Sequence, residues 1–201
     1  MRMGKLILTM HTSADGFVAT GDGKMWPTFG WPAEAQSLVN ELYADVEAAI
    51  YGRGIYQTVI PFWTDVAING VPHGAPLGEF DLDFARLLLP VRKYVVSRTY
   101  EPQEPDTTAI RANIATEVER IKAGTSGAVV LLAGGAITAE LLKAKLIDEI
   151  LLLTGPVLLG SGRPLADLSE PIPLSLLSVD TFAPKCVVSR YRIEADFPTQ
   201  R

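Results

Sequence analysis

Three short clusters in this chain carry chemistry suited to an anionic ligand. The first is the apolar run Val129-Val130-Leu131-Leu132-Ala133, which feeds Gly134-Gly135-Ala136 and then a helix-like stretch. The first turn of a helix offers free N–H groups and a positive dipole end, and glycine lets a ligand approach the backbone closely. The Gly-x-Gly-x-x-Gly fingerprint is absent, so an ordinary Rossmann site is not supported. The other two clusters centre on Arg53 and Arg98, each directly after a strand-like run. Ligands of parallel sheets bind at the carboxyl ends of strands, and guanidinium pairs well with phosphate. Ser97 and Thr99 add hydroxyl donors beside Arg98. The competing readings are a tight strand-to-helix turn and ordinary solvated arginines.

Four more side chains are candidates. Asp15, just past the first strand, either anchors a substrate or orders its own loop by accepting backbone N–H groups. Trp26 and Trp31 lie in a Gly- and Pro-rich segment and could wall a flat ring, or simply pack it. Glu34 begins a helix, where the dipole favours a carboxylate, and could also face a substrate ring. His11 and His73 are far apart, and no Cys or His cluster suggests a metal. No Gly-x-Ser-x-Gly elbow supports Ser-His-Asp catalysis.

The elements that must position these residues follow from hydrophobic period. Residues 5–11 form a strand with Leu6, Leu8 and Met10 on one face. Residues 12–32 read as a long loop. A helix over residues 33–45 carries the stripe Ala35, Leu38, Val39, Leu42 and Val46. Residues 47–51 make a short buried strand, and a short helix starts at Ile55. Residues 61–78, with three prolines and three glycines, read as irregular surface. A helix at 81–89 and a strand at 92–97 come next, then a loop at 101–106. Asn113 can cap a helix reaching Lys122. Strands follow at 128–133 and 147–154, with the glycine-opened helix between them. Residues 155–162 turn the chain, and 173–182 with 186–193 form an antiparallel hairpin.

Strands alternating with helices predict an α/β chain with a mostly parallel sheet and an antiparallel C-terminal edge. The 201 residues fit a single domain, residues 1–201. The composition is 48% hydrophobic and 20% charged, which is ordinary for a globular protein. Net charge is −5 with the basic residues scattered, so nucleic acid is not an expected partner. A lone Cys186 suits a reducing compartment and a buried strand position. No run is apolar and long enough for a signal peptide or a membrane span. A cytoplasmic, soluble protein without membrane partners is expected.

Five blocks in this order resemble a known family: Ser13-Ala14-Asp15-Gly16-Phe17-Val18-Ala19, Tyr51-Gly52-Arg53-Gly54-Ile55-Tyr56, Lys93-Tyr94-Val95-Val96-Ser97-Arg98-Thr99, Leu132-Ala133-Gly134-Gly135-Ala136, and Leu146-Ile147-Asp148-Glu149-Ile150 leading to the 155–162 turn. From Lys5 to Arg192 the chain is similar to the reductase domain of the bifunctional riboflavin-biosynthesis protein (RibD C-terminal-like), within the dihydrofolate reductase superfamily. The resemblance implies the dihydrofolate-reductase-like three-layer fold with helices on both faces. It implies NADPH as hydride donor, held by Gly52, Arg53, Ser97, Arg98, Thr99, Gly134, Gly135, Ala136, Ile137 and Thr138. It implies a homodimer, and a substrate pocket between the Asp15 loop, the Trp26 region and the helix with Glu34. Trp26, Trp31 and Tyr56 would line that pocket. Where the riboflavin enzyme has a glutamate before its glycine turn, this chain has Leu132.

The expected function is an NADPH-dependent oxidoreductase that passes a hydride to a small pterin-like or pyrimidine-like heterocycle. Asp15, Glu34, Tyr56 or a bound water would deliver the proton. The alternative is a non-catalytic NADP-binding sensor or partner module.

Overall fold

The computed structural model describes residues 3–23, 32–70 and 79–196. In chain order the elements are β1 (Lys5–Thr12), β2 (Phe17–Ala19), α1 (Ala33–Tyr43), β3 (Val46–Gly52), α2 (Arg53–Asn69), α3 (Glu79–Leu88), β4 (Arg92–Val96), β5 (Thr107–Ile110), α4 (Ile114–Ala123), β6 (Ala128–Leu132), α5 (Gly135–Lys143), β7 (Glu149–Thr154), β8 (Arg163–Pro164), β9 (Leu174–Phe182) and β10 (Cys186–Ile193).

Strand β6 is five apolar residues without a polar side chain, and it lies in the interior of the sheet. Such a strand is stable only if both faces are covered. The sheet order is β5-β4-β3-β6-β1-β7-β10-β9. From β5 to β7 every pairing is parallel, and β10 pairs antiparallel with β7 and β9. One face packs on α1, α2 and α3 through Val39, Tyr43, Tyr56, Ile60, Phe84 and Leu88. The other packs on α4 and α5 through Val118, Ile121, Leu141 and Leu142. Leu6, Leu8 and Met10 share this second face, as their alternation predicts. The three-layer α/β fold with an antiparallel C-terminal hairpin is the fold expected. Cys186 is buried. Among the described residues no helix is long and apolar enough to cross a membrane.

Several boundaries differ from expectation. Helix α1 stops at Tyr43, and Val46 belongs to β3. Residues 61–69 are not irregular, because α2 runs through Pro61 to Asn69. Pro61 removes one N–H, at a cost of about 3 kcal/mol in a helix interior. Packing overrides it: Tyr56, Ile60 and Val66 are buried, and Trp63 sits edge-on to Phe84 of α3 at 4.9 Å. Asn113 does precede α4, but in a left-handed conformation and with no side-chain cap bond. Strand β2 lies in the segment read as a long loop, and β5 and β8 lie in stretches to which the sequence assigned no element. Gly162 permits the β2–β8 pairing, since a Cβ there would stand 2.3 Å from the Ala19 carbonyl oxygen.

At the amino ends of the strands Glu149, 4% exposed, accepts from Lys5 Nζ at 2.6 Å and from Arg190 Nε at 2.6 Å. Burial pushes its carboxyl up, but hydrogen bonds and charge from Lys5 and Arg190 outweigh this and hold it below the ordinary range. A depressed carboxyl contributes stability above its unfolded pKa and loses it as pH falls through the folded value. Glu149→Gln is therefore expected to cost about 1–3 kcal/mol in urea unfolding at neutral pH. The gap to wild type is expected to narrow in acid.

Candidate functional site

Strands β3 and β6 are neighbours, and the chain leaves their carboxyl ends in opposite directions. After β3 it moves through α2 and α3 to β4; after β6 it moves through α5 to β7 on the other side. Such a divergence leaves a crevice between two strand tips, with a helix starting at each. Gly52, at the end of β3, lies across it from the β6–α5 turn: a Cβ there would be 3.7 Å from Ala133 Cβ and 3.6 Å from Ile137 Cδ1. The amino ends of α2 and α5 thus open on the same gap.

Arg53 is the first residue of α2. Its Nε donates to Gln57 Oε1 at 3.0 Å, one terminal nitrogen donates to Thr99 Oγ1 at 3.4 Å, and the guanidinium lies 5.8 Å from the Tyr100 ring centroid. Arg98 is exposed beyond the tip of β4. Its carbonyl accepts from Arg111, which is also in an ion pair with Glu101 at 2.6 Å. Ser97 Oγ accepts from the Tyr100 N–H at 3.1 Å. The structure therefore gathers Arg53, Ser97, Arg98 and Thr99 at one end of the sheet and adds Arg111. Sequence reasoning missed Arg111 although the same signal applies, an arginine directly after a strand, because β5 was not recognised as one.

At the second helix mouth, Gly135 has φ +57°, a conformation that favours glycine. Its N–H is taken by the Leu165 carbonyl at 3.1 Å, and a Cβ on it would meet Asp167 Oδ2 at 3.3 Å. Thr138 is buried and its hydroxyl donates to the Ala133 carbonyl at 2.8 Å. Ala136 and Ile137 keep first-turn N–H groups that have no acceptor within the helix. Gly134 packs against Val18 of β2.

Asp15 is a loop anchor in this structure. Its carboxylate accepts from the Ser13 hydroxyl at 2.6 Å, the Leu159 N–H at 3.1 Å and the Gly160 N–H at 2.8 Å. The Ser13 bond, followed by those backbone bonds, holds its carboxyl below the usual range. Ser13 Oγ in turn accepts from the Phe17 N–H. The loop after β1 and the turn after β7 are clasped by one side chain. Glu34 is exposed in the first turn of α1. Tyr56 is buried, and its hydroxyl donates to Glu104 Oε2 at 2.8 Å; burial foremost pushes its pKa up. Trp26, Trp31 and His73 lie outside the described residues. Among the described residues no cluster of His, Cys, Asp or Glu is placed to hold a metal.

A cavity of about 520 Å³ opens at the opposite, amino end of the strands, lined in part by Lys5, Glu41, Asp45, Ser126 and Arg190. Its two cations are both engaged by Glu149. It does not share the helix mouths or the arginines of the crevice.

Asp15→Ala is expected to speed amide hydrogen exchange at Leu159 and Gly160 while β6 exchanges as in wild type. In the wild-type chain that protection should persist above the ordinary carboxylate range and fade as pH falls through the depressed Asp15 pKa.

Several known proteins are similar to this chain. In Bacillus subtilis (strain 168) the uncharacterized protein YyaP is 24% identical over 186 residues, spanning 91% of this chain and 92% of that protein. The structure of Acinetobacter baumannii RibD superposes with a TM-score of 0.65 at 16% identity, covering 96% of this chain and 59% of RibD. Dihydrofolate reductase from Enterococcus faecalis, solved with NADP(H), superposes with a TM-score of 0.56 at 13% identity, covering 95% of this chain and 97% of that one. These likenesses show the fold, which is dihydrofolate-reductase-like. The family model described as the RibD C-terminal domain matches residues 4–188, nearly the whole chain, and the protein belongs to that family.

Proposed function

We propose that this protein is an NADPH-dependent reductase that transfers a hydride to a small pterin-like or pyrimidine-like heterocycle. The observation that carries the reading is the crevice between β3 and β6, where the amino ends of α2 and α5 open, with Arg53 at the first of them and Arg98 and Arg111 beyond the tips of the neighbouring β4 and β5. Backbone N–H groups and guanidinium are the donor set that a phosphorylated dinucleotide requires. Bound NADPH would supply the hydride; the protein would supply position and exclusion of water.

Each residue then has a role in this reading. Arg53, Arg98 and Arg111, with Ser97 and Thr99, hold the 2′-phosphate. The Ala136 and Ile137 N–H groups face the pyrophosphate. Gly52, Gly134 and Gly135 keep the crevice narrow, and Thr138 braces the β6–α5 turn. Asp15 acts as a positioning residue, because its carboxylate already holds the two loops together. Glu34, exposed at the start of α1, is the proposed proton source, directly or through a water. Tyr56 fixes α2 against the β4–β5 loop through Glu104.

We also propose a homodimer in the cytoplasm. What supports the dimer is the edge strand β9, which exposes Leu174, Leu176, Leu177 and Val179. A long apolar edge is ordinarily covered. Val179→Lys is expected to turn a dimer into a monomer in light scattering; a wild-type monomer contradicts this.

Replacing both Arg53 and Arg98 by Ala is expected to weaken NADPH binding by at least about tenfold per arginine, while NADH binding changes far less. Calorimetry with the two cofactors checks this. An equal loss for both contradicts the assignment of the 2′-phosphate.

A further inference from the structure

Two buried hydroxyls and one half-buried imidazole that no role above uses fall in one patch. Ala49, Val130 and Ile7 form a row across β3, β6 and β1 on the face covered by α1, α2 and α3. Two residues further along each strand come Tyr51, Leu132 and Thr9, and Leu151 of β7 pairs with Thr9. His11, paired with Leu153, follows in the next row of the same face. The Tyr51 hydroxyl and the Thr9 hydroxyl are both buried and have no hydrogen-bond partner among the described residues. Tyr51 is 0% exposed and Thr9 5%. Burial lowers the pKa of His11 to about 4, so its ring is neutral at neutral pH.

A buried hydroxyl without a partner is costly, and native chains retain few of them. Two such hydroxyls flanking one leucine, on strands whose backbones are about 10 Å apart, are a pattern rather than a scatter. They lie at the carboxyl half of the sheet, one row before Arg53 and Gly134, on the way into the crevice. The row holds no charge: Tyr51, Leu132, Thr9 and Leu151 are neutral.

We propose that the Thr9 and Tyr51 hydroxyls are specificity-determining groups that bind the polar edge of an uncharged flat heterocycle over Leu132. This rests on the reductase reading and deepens it, naming the charge state of the substrate ring and the side chains that select it. A ring presenting carbonyl and N–H groups gives both hydroxyls the partners they lack. A ring carrying a fixed charge is excluded, because nothing in the row compensates it and burying an unpaired charge is costly. Both hydroxyls are shut off from solvent, so the ring enters by displacing side chains over this face rather than through an open mouth.

The test uses Thr9→Val, Tyr51→Phe and the control Thr9→Ser in the full chain. Calorimetry measures 6-aminouracil and pterin, each with and without saturating NADPH, and the melting temperature is taken without ligand. The wild type is expected to bind at least one neutral ring. Thr9→Val and Tyr51→Phe are each expected to weaken it roughly tenfold, with Thr9→Ser retaining affinity. Without ligand both variants should melt no lower than wild type, since each removes an unsatisfied group. Wild-type protein that binds neither ring, variants that bind as wild type, or variants that melt several degrees lower would each overturn the inference. NADPH titrated alone judges the cofactor separately: hydroxyl-dependent ring binding with no NADPH binding would sink the reductase reading and leave this inference standing.

Discussion

Strands β3 and β6 lie side by side through five paired positions, from Val46 to Tyr51 against Ala128 to Leu132. Both are covered by helices on both faces, so neither presents an open flank to solvent. What they can offer is their tips, and the chain departs from those tips in opposite directions. That divergence keeps the gap between them open and points the amino ends of α2 and α5 into it. The remaining features depend on this one constraint. Arg53 is at the site because α2 begins there, and Gly134 because β6 ends there.

The loops above the gap are tied down by polar contacts of few atoms. Asp15 joins the turn after β7 to the loop after β1, and β2 pairs with β8 just beside it. Leu165 and Asp167 lie against Gly135 at the mouth of α5. These contacts are exposed or half-exposed, whereas Lys122 and Lys93, buried on other elements, hold carbonyls and carboxylates in fixed networks. The sheet and its helices are therefore tied together by buried polar contacts, and the loop layer over the strand tips by more exposed ones.

Much of this was legible in the residues. The apolar runs of β1, β3, β6 and β7 have a single stable setting, a covered parallel sheet, and the β9–β10 hairpin followed from its turn. Arg53 and Arg98 could be placed at strand tips because the strands before them could be read. Arg111 could not, because β5 is only four residues long and polar in part, Thr107-Thr108-Ala109-Ile110. Pro61 concealed most of α2, since a local breaker outweighs pattern until the partner helix α3 is known. Asp15 was open between two roles, and only the distant N–H groups of Leu159 and Gly160 decide what its carboxylate does here. Thr9 and Tyr51 left no signal at all: a buried hydroxyl without a partner is a property of the packed sheet, not of the residue type.

The central claim is that a pyridine dinucleotide is held at the tips of β3 and β6. Amide hydrogen exchange with and without NADP⁺ tests it most directly. The account predicts new protection in the first turns of α2 and α5 and around Ser97 to Thr99, with little change at the amino ends of the strands. Protection confined to the cavity lined by Lys5 and Arg190, or no change anywhere in well-folded protein, would contradict it.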